Sequence, residues 1–387
     1  MTRVPAPDPQ AAAARRSAAA GLRAWLVGLL LLPGWCGAVD FTADERARIL
    51  SHGPWPPARV ADASNRADGR ADAIALGRRL FSDRRLSASG ELACSSCHDP
   101  ARGFQDGQRF TRNHRNTPAL FDLAFARWYG WDGAQDSLWA ATLRPLTATD
   151  ELAVTPQQVM RLLRADAGLH TAYRQVFGAP PATERVLVDM AKALAAYQAT
   201  LVSPRTPFDD FRDALARGDL AAADRYPPAA QRGLKLFVGE ARCWFCHTGP
   251  AFTNGEFADI GRPFFTRQGA DPGRWGGLKQ LLASPYNRLG PHNDAGADDP
   301  QAVATRHVTM EPRHFGEFKV PGLRGLRATA PYFHDGSAAT LDDVVDHYAD
   351  LDETRLHADG ERILRALRLT PEQRQDLVAF LATLSAP

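Results

Sequence analysis

The feature that most constrains this chain is a pentapeptide pattern that occurs twice, CSSCH at residues 94–98 and CWFCH at residues 243–247. Each copy puts two thiols about one helical turn apart and follows the second with a histidine. Two thiols at that spacing add to the two vinyl groups of one porphyrin, and the adjacent imidazole then reaches the iron. The pattern is the attachment signature of c-type haem. A zinc site would need a closed set of four ligands at each copy. A thioredoxin-type dithiol needs no histidine after it. The residues therefore assign Cys94, Cys97, His98, Cys243, Cys246 and His247 to two covalently bound haems, with His98 and His247 as iron ligands.

The rest of the cysteine usage agrees. The fifth cysteine, Cys36, lies in an opening segment that reads as a leader. Arg15, Arg16 and Arg23 precede an apolar run at 24–32, too short to span a bilayer. PGWCGA at 33–38 follows, with small residues before a cut after Ala38. A lipoprotein anchor at Cys36 is the alternative, and Trp35 stands where that anchor wants a small residue. Residues 1–38 are thus expected to be a signal peptide and the mature protein to be periplasmic, with every remaining cysteine in a haem motif. No later segment is apolar enough to cross a membrane. A net charge of +2 over 387 residues points to no nucleic-acid partner.

The chain also repeats itself. ALGRRLF at 75–81 precedes the first motif and QRGLKLF at 231–237 the second, each readable as a short amphipathic helix. The segments after the two histidines, DPARGF and TGPAF, are alike. The expected fold is mainly α, two tandem cytochrome c-like haem domains with long loops, at 39–203 and 204–387. Residues 183–201 have helical spacing, VSPRTPF at 202–208 breaks it as the linker, and TPEQ at 370–373 opens a last helix to about Leu384 with a capping box. A further helix is expected over 340–350. No stretch alternates like a strand. Residues 252–320 read as a structured surface insertion anchored by Phe264, Phe265, Trp275 and Tyr286, with few helical signals. Residues 41–72 read as a second long loop, within which SHGPWPP at 51–57 packs as an extended strap.

Beyond the two haem motifs, RNTP at 115–118, WDG at 131–133, the spacing from Pro145 to Glu151, MAKALAAYQATLVSP at 190–204 and TAPYFHDG at 329–336 resemble the bacterial di-haem cytochrome c peroxidase and MauG superfamily. Within it the chain is most similar to the MauG and MbnH branch. The resemblance covers nearly all of the mature chain and implies that the first haem meets peroxide, the second handles electrons, and one calcium ion sits between them.

Residue by residue, the resemblance makes Glu151 the distal acid of the peroxidatic haem and Pro145 the residue that roofs its pocket without offering a ligand atom. A carboxylate there can carry the proton that peroxide must move between its oxygens. Trp131 is implied as the relay between haems. Asn116, Thr329 and Pro331 are implied as the calcium site. Tyr348, fourteen residues after His334, falls where the peroxidases place a methionine on the second iron. A hard phenolate there favours Fe(III) and higher states. His347 is the rival ligand, about 100° away around a helix. Met310 lies outside the pattern. Two departures bear on the first haem. Ala141 stands where the family often has glutamine, and Gln108 where classical members have a capping histidine, so the first haem is expected to be five-coordinate at rest. His114 reads as a loop histidine.

Three functions follow in order. The first is an enzyme that uses hydrogen peroxide to reach a high-valent di-haem state and oxidises a partner protein, at tryptophan. The second is a classical cytochrome c peroxidase fed by a small cytochrome or copper protein. The third is a non-catalytic di-haem electron carrier. Tyr348 and Gln108 favour the first over the second; Glu151 and Pro145 argue against the third. Trp244, inside the second motif, reads as an exit point for oxidising equivalents or as haem packing.

Overall fold

The helix Arg185–Gln198 is buried on almost every face, its Asp189 and Lys192 included. Against it pack the helices Ala71–Phe81 and Leu138–Thr147. In the second half, the helix Pro228–Val238 packs on Pro371–Ala382, which also carries Leu341–Ala349. The computed structural model describes residues 39–109, 115–263, 265–266, 269–296, 298–360 and 363–387. The expected leader, with Cys36, and His114 and Phe264 lie outside the described residues. The protein is mainly α. Its strands among the described residues are two-residue pieces in two antiparallel ladders, Phe257–Ala258 with Phe318–Lys319 and Phe265–Thr266 with Gly269–Ala270.

The sequence repeat has a packing cause. An ideal Cβ on Gly77 would sit 2.0 Å from the Ala193 carbonyl oxygen, and one on Gly233 would sit 1.9 Å from that of Asp376. Each glycine lets the helix before a haem motif touch the backbone of its partner helix. Phe81 and Phe237, at matching places after these glycines, are buried in their respective cores. The first core draws on residues between Ala67 and Ala199. The second draws on residues between Phe208 and Leu384, plus Ile49.

Helix ends follow their local chemistry. Thr370 and Gln373 form the capping box of Pro371–Ala382, with proline at the first turn. Thr340 and Asp343 do the same for Leu341–Ala349, whose first turn is acidic and whose last carries His347. The expected helix at 183–201 is observed as Arg185–Gln198.

Two expectations need correction. Residues 41–72 are not all loop: Ala43–Ser51 is a helix, with a Thr42–Glu45 capping box. It packs on the second core, where Arg48 donates to the Val238 carbonyl at 2.8 Å. The rest of that segment is pinned by Trp55, whose indole N–H donates to the Ser203 carbonyl at 2.9 Å and whose ring lies 3.7 Å from the Arg324 guanidinium. The 252–320 insertion is also more helical than its composition implies, with helices at Arg274–Ala283 and Val303–His307. Its anchors include buried charges as well as aromatics. Tyr286 stacks on His292 at 5.2 Å. Arg288 pairs with Asp62 and Asp299, each at 2.9 Å. Asp294 accepts from the fully buried Lys192 at 2.6 Å. The Asp62 pair ties the insertion to the 41–72 segment, and the Lys192 pair ties it to the central helix of the first core. Among the described residues no helix is long and apolar enough to cross a membrane.

Candidate di-haem site

The two haem motifs are built alike on the near side. Cys94–Cys97 forms one helical turn, and Cys243–Phe245 a tighter one. The His98 Nδ1–H donates to the Phe104 carbonyl at 2.8 Å, and that of His247 to the Phe252 carbonyl at 3.0 Å. An imidazole held that way presents Nε2 as its electron-pair end. To aim those carbonyls, Phe104 and Phe252 adopt left-handed backbone, with φ of 61° and 55°. That costs a non-glycine residue about 1–3 kcal/mol and is kept where the fold over-determines it. Burial lowers both imidazole pKa values below the usual histidine range. Burial likewise pushes the Cys94 and Cys243 thiols up to about 12.

Both motifs open into one cavity of about 1950 Å³. Pockets for a single ligand run to about 300–1,000 Å³. Every residue singled out from the sequence as a site lines this cavity: both CxxCH sets, Asn116, Trp131, Pro145, Glu151, Thr329, Pro331 and Tyr348. Four cysteines outside any disulfide, in two pairs, each beside an oriented imidazole, fit two covalently held haems.

The end of the helix Leu138–Thr147, with Pro145 inside its last turn, lines the same cavity. The chain then folds back, Leu152 N–H donating to the Pro145 carbonyl at 3.1 Å and Val154 N–H to that of Leu146 at 2.7 Å. This turn delivers Glu151 to the cavity. Its charge, with that of Asp106, reaches the His98 ring. Arg144 Nη1 donates to Glu151 Oε1 at 2.7 Å. Sequence reading missed Arg144; its only signal was its place beside Pro145. Gln108 is exposed and its backbone N–H is held by Asp106 Oδ1 at 2.9 Å.

Tyr348, on the helix Leu341–Ala349, lines the cavity. Burial pushes its phenol up, as do the Cys243 and Cys246 thiols beside it. His347 is turned elsewhere, its Nε2 2.8 Å from the Ile260 carbonyl oxygen. Met310 packs on the separate cluster of Trp128, Leu278 and Leu281. Trp244 is partly buried under Arg48, 4.4 Å from its ring.

Between the halves, the Trp131 indole N–H donates to the Asn116 carbonyl at 2.8 Å. The Trp131 carbonyl accepts from Lys319 N–H at 2.8 Å. Burial lowers the Lys319 ammonium to about 8. The Asn116 side-chain amide meets the Pro331 carbonyl oxygen at 3.0 Å. No group of three or more His, Cys, Asp or Glu among the described residues could hold a metal ion. A site made from amide and backbone oxygens is of another kind, and a half-turn of the Asn116 amide would face its oxygen to Pro331.

A mainly helical protein with two CxxCH motifs on one shared cavity defines a di-haem c-type protein. Comparison with known proteins makes this specific. Residues 71–217 match the family model described as di-haem cytochrome c peroxidase. The chain is 36% identical over 322 residues to methylamine utilization protein MauG of Methylorubrum extorquens, covering 81% of this chain and 78% of that protein. It is 32% identical to the cytochrome-c peroxidase IdrP1 of Pseudomonas sp. strain SCT, covering 90% and 89%. Among solved structures, a MauG-like protein associated with microbial copper homeostasis superposes with a TM-score of 0.63 at 26% identity, covering 90% and 96%. The chain belongs to the di-haem cytochrome c peroxidase family that includes MauG. It is an enzyme of that oxidoreductase class, and membership implies two c-type haems.

Proposed function

We propose that this enzyme uses hydrogen peroxide at the first haem and passes the oxidising equivalents to a partner protein, with tryptophan as the target. The observation that supports this reading is Tyr348, which lines the shared cavity close enough to Cys243 and Cys246 to feel their charge, while His347 is held by the Ile260 carbonyl. When bound, the haems supply the two electrons that peroxide takes and hold the resulting oxidising power.

The chain's own residues do the rest. Glu151 takes a proton from one peroxide oxygen and returns it to the other. Pro145 roofs the pocket with no donor atom. Tyr348 offers a phenolate, hard and anionic, to the second iron. Its apolar site disfavours a phenolate without a cation beside it, so a ferric iron is its natural partner there. Trp131 lies on the path between the two sites. Asn116, with the Thr329 and Pro331 carbonyls, holds a calcium ion. The two haem domains divide at about residue 203, and the protein works in the periplasm after its leader is cut following Ala38.

The test compares fully ferric enzyme with half-reduced enzyme in rapid mixing with peroxide. With Tyr348 as ligand and Gln108 unable to cap the first iron, the fully ferric enzyme reacts without prior reduction. Reaction of the half-reduced form alone would replace this reading with a classical peroxidase fed by a small cytochrome or copper protein.

A further inference from the structure

Ala141, Arg144 and Pro145 lie on one helix and all line the cavity. Residues three and four apart share a helix face. The neighbours on this face supply little polarity. Ala141 and Pro145 have no side-chain donor or acceptor. The Thr142 hydroxyl donates to the Leu138 carbonyl at 2.8 Å and accepts from Gln198 Nε2 at 3.1 Å. The guanidinium of Arg144 and the carboxylate of Glu151 stand out against them, joined at 2.7 Å. Two turns of chain separate them, and the fold-back after Pro145 brings them together.

An exposed pair of this kind is ordinarily worth little to stability. This one lies at a cavity wall, with side-chain exposures of 40% for Arg144 and 23% for Glu151. Its consequence is electrostatic. As a peroxide proton moves to Glu151, the negative charge passes from the carboxylate to the peroxide oxygen. A guanidinium carries five N–H donors in a fixed plane, and one bond to Oε1 leaves the others for a second acceptor. Both the starting and the final position of the charge then lie beside the same cation.

We infer that Arg144 is the cationic group of the peroxide pocket, positioning Glu151 and holding an anion bound above the first haem. The inference rests on the reading of that pocket as the peroxide site. It assigns Arg144 a role in anion recognition that a surface ion pair would not have.

Fluoride titration of the ferric di-haem enzyme, followed optically, tests it without turnover. Haem content and resting spectrum are compared first. Arg144→Leu raises the fluoride dissociation constant by about 10- to 100-fold, the loss of one charged hydrogen bond. Arg144→Lys, which keeps the charge but not the fork, restores part of the affinity. Glu151→Gln leaves fluoride binding at least as tight while slowing the peroxide step. Wild-type fluoride affinity in Arg144→Leu, with Glu151→Gln still slow on peroxide, would overturn the role of Arg144 alone. Wild-type behaviour of both variants in both measurements would remove the peroxide-pocket reading as well.

Discussion

The two halves are alike in what surrounds each haem-motif histidine and differ in the groups proposed for the far side of each haem. In each, a glycine lets the preceding helix touch its partner, a phenylalanine follows into the core, and a strained phenylalanine carbonyl orients the histidine. These glycines, phenylalanines and histidines span residues 77–104 in the first half and 233–252 in the second. The groups proposed for the far side come from distant segments. Pro145 and Glu151 lie 47 and 53 residues after His98, and Tyr348 lies 101 residues after His247. Attachment is thus a local module, and reactivity is furnished separately. A duplicated haem module can diverge in chemistry without disturbing how the haem is held.

The largest test of that separation is all-or-none. Replacing Cys243 and Cys246 by serine removes one covalent haem and leaves the first attached; replacing Cys94 and Cys97 does the reverse. Mass spectrometry of denatured protein would then show one porphyrin adduct in each double variant against two in the wild type. Loss of both haems from either variant would mean that the halves are not independent modules.

A smaller effect separates the far sides. Glu151→Gln keeps both haems and slows the reaction with peroxide by roughly 10²–10⁴, the usual worth of a positioned proton carrier. Tyr348→Phe leaves that encounter near the wild-type rate and shortens the life of the oxidised enzyme. Equal slowing in both variants would erase the assigned division of labour.

What the sequence made legible follows the same split. The haem motifs and the helices leading into them were visible because their chemistry is local and repeated. Glu151 and Tyr348 are unremarkable as single residues, and only the resemblance to a family singled them out. Arg144 escaped notice because an arginine before a proline reads as surface, and its partner depends on a fold-back seven residues long. The helix Ala43–Ser51 carried a readable Thr42–Glu45 cap that the glycine- and proline-rich sequence after it obscured. The helix Arg274–Ala283 was hidden by its adjacent Gly276 and Gly277. Lys192 lay in a plainly helical stretch, but its burial could not be foreseen without Asp294, 102 residues away.

The smallest expected effect concerns a group that only the second half uses. His52 is 1% exposed and stacks face to face on Phe252, the residue that orients His247, at 4.4 Å. Its Nδ1–H donates to the Gly249 carbonyl at 3.0 Å, and its Nε2 is buried with no partner among the described residues. Burial lowers its pKa from 6.5 to about 4, against the Gly249 carbonyl, with His247 and Arg324 adding to the lowering. The unfolded chain therefore takes up a proton near pH 6.5 while the folded chain does not. Stability is complete above that pH and falls as pH drops toward 4, by about 3 kcal/mol in full and about 2 kcal/mol by pH 5. His52→Asn removes the titrating group. Its urea-unfolding free energy should fall less between pH 7 and pH 5 than that of the wild type, by about that 2 kcal/mol. Parallel losses in the two proteins would show that His52 is not the group that makes the second half acid-sensitive.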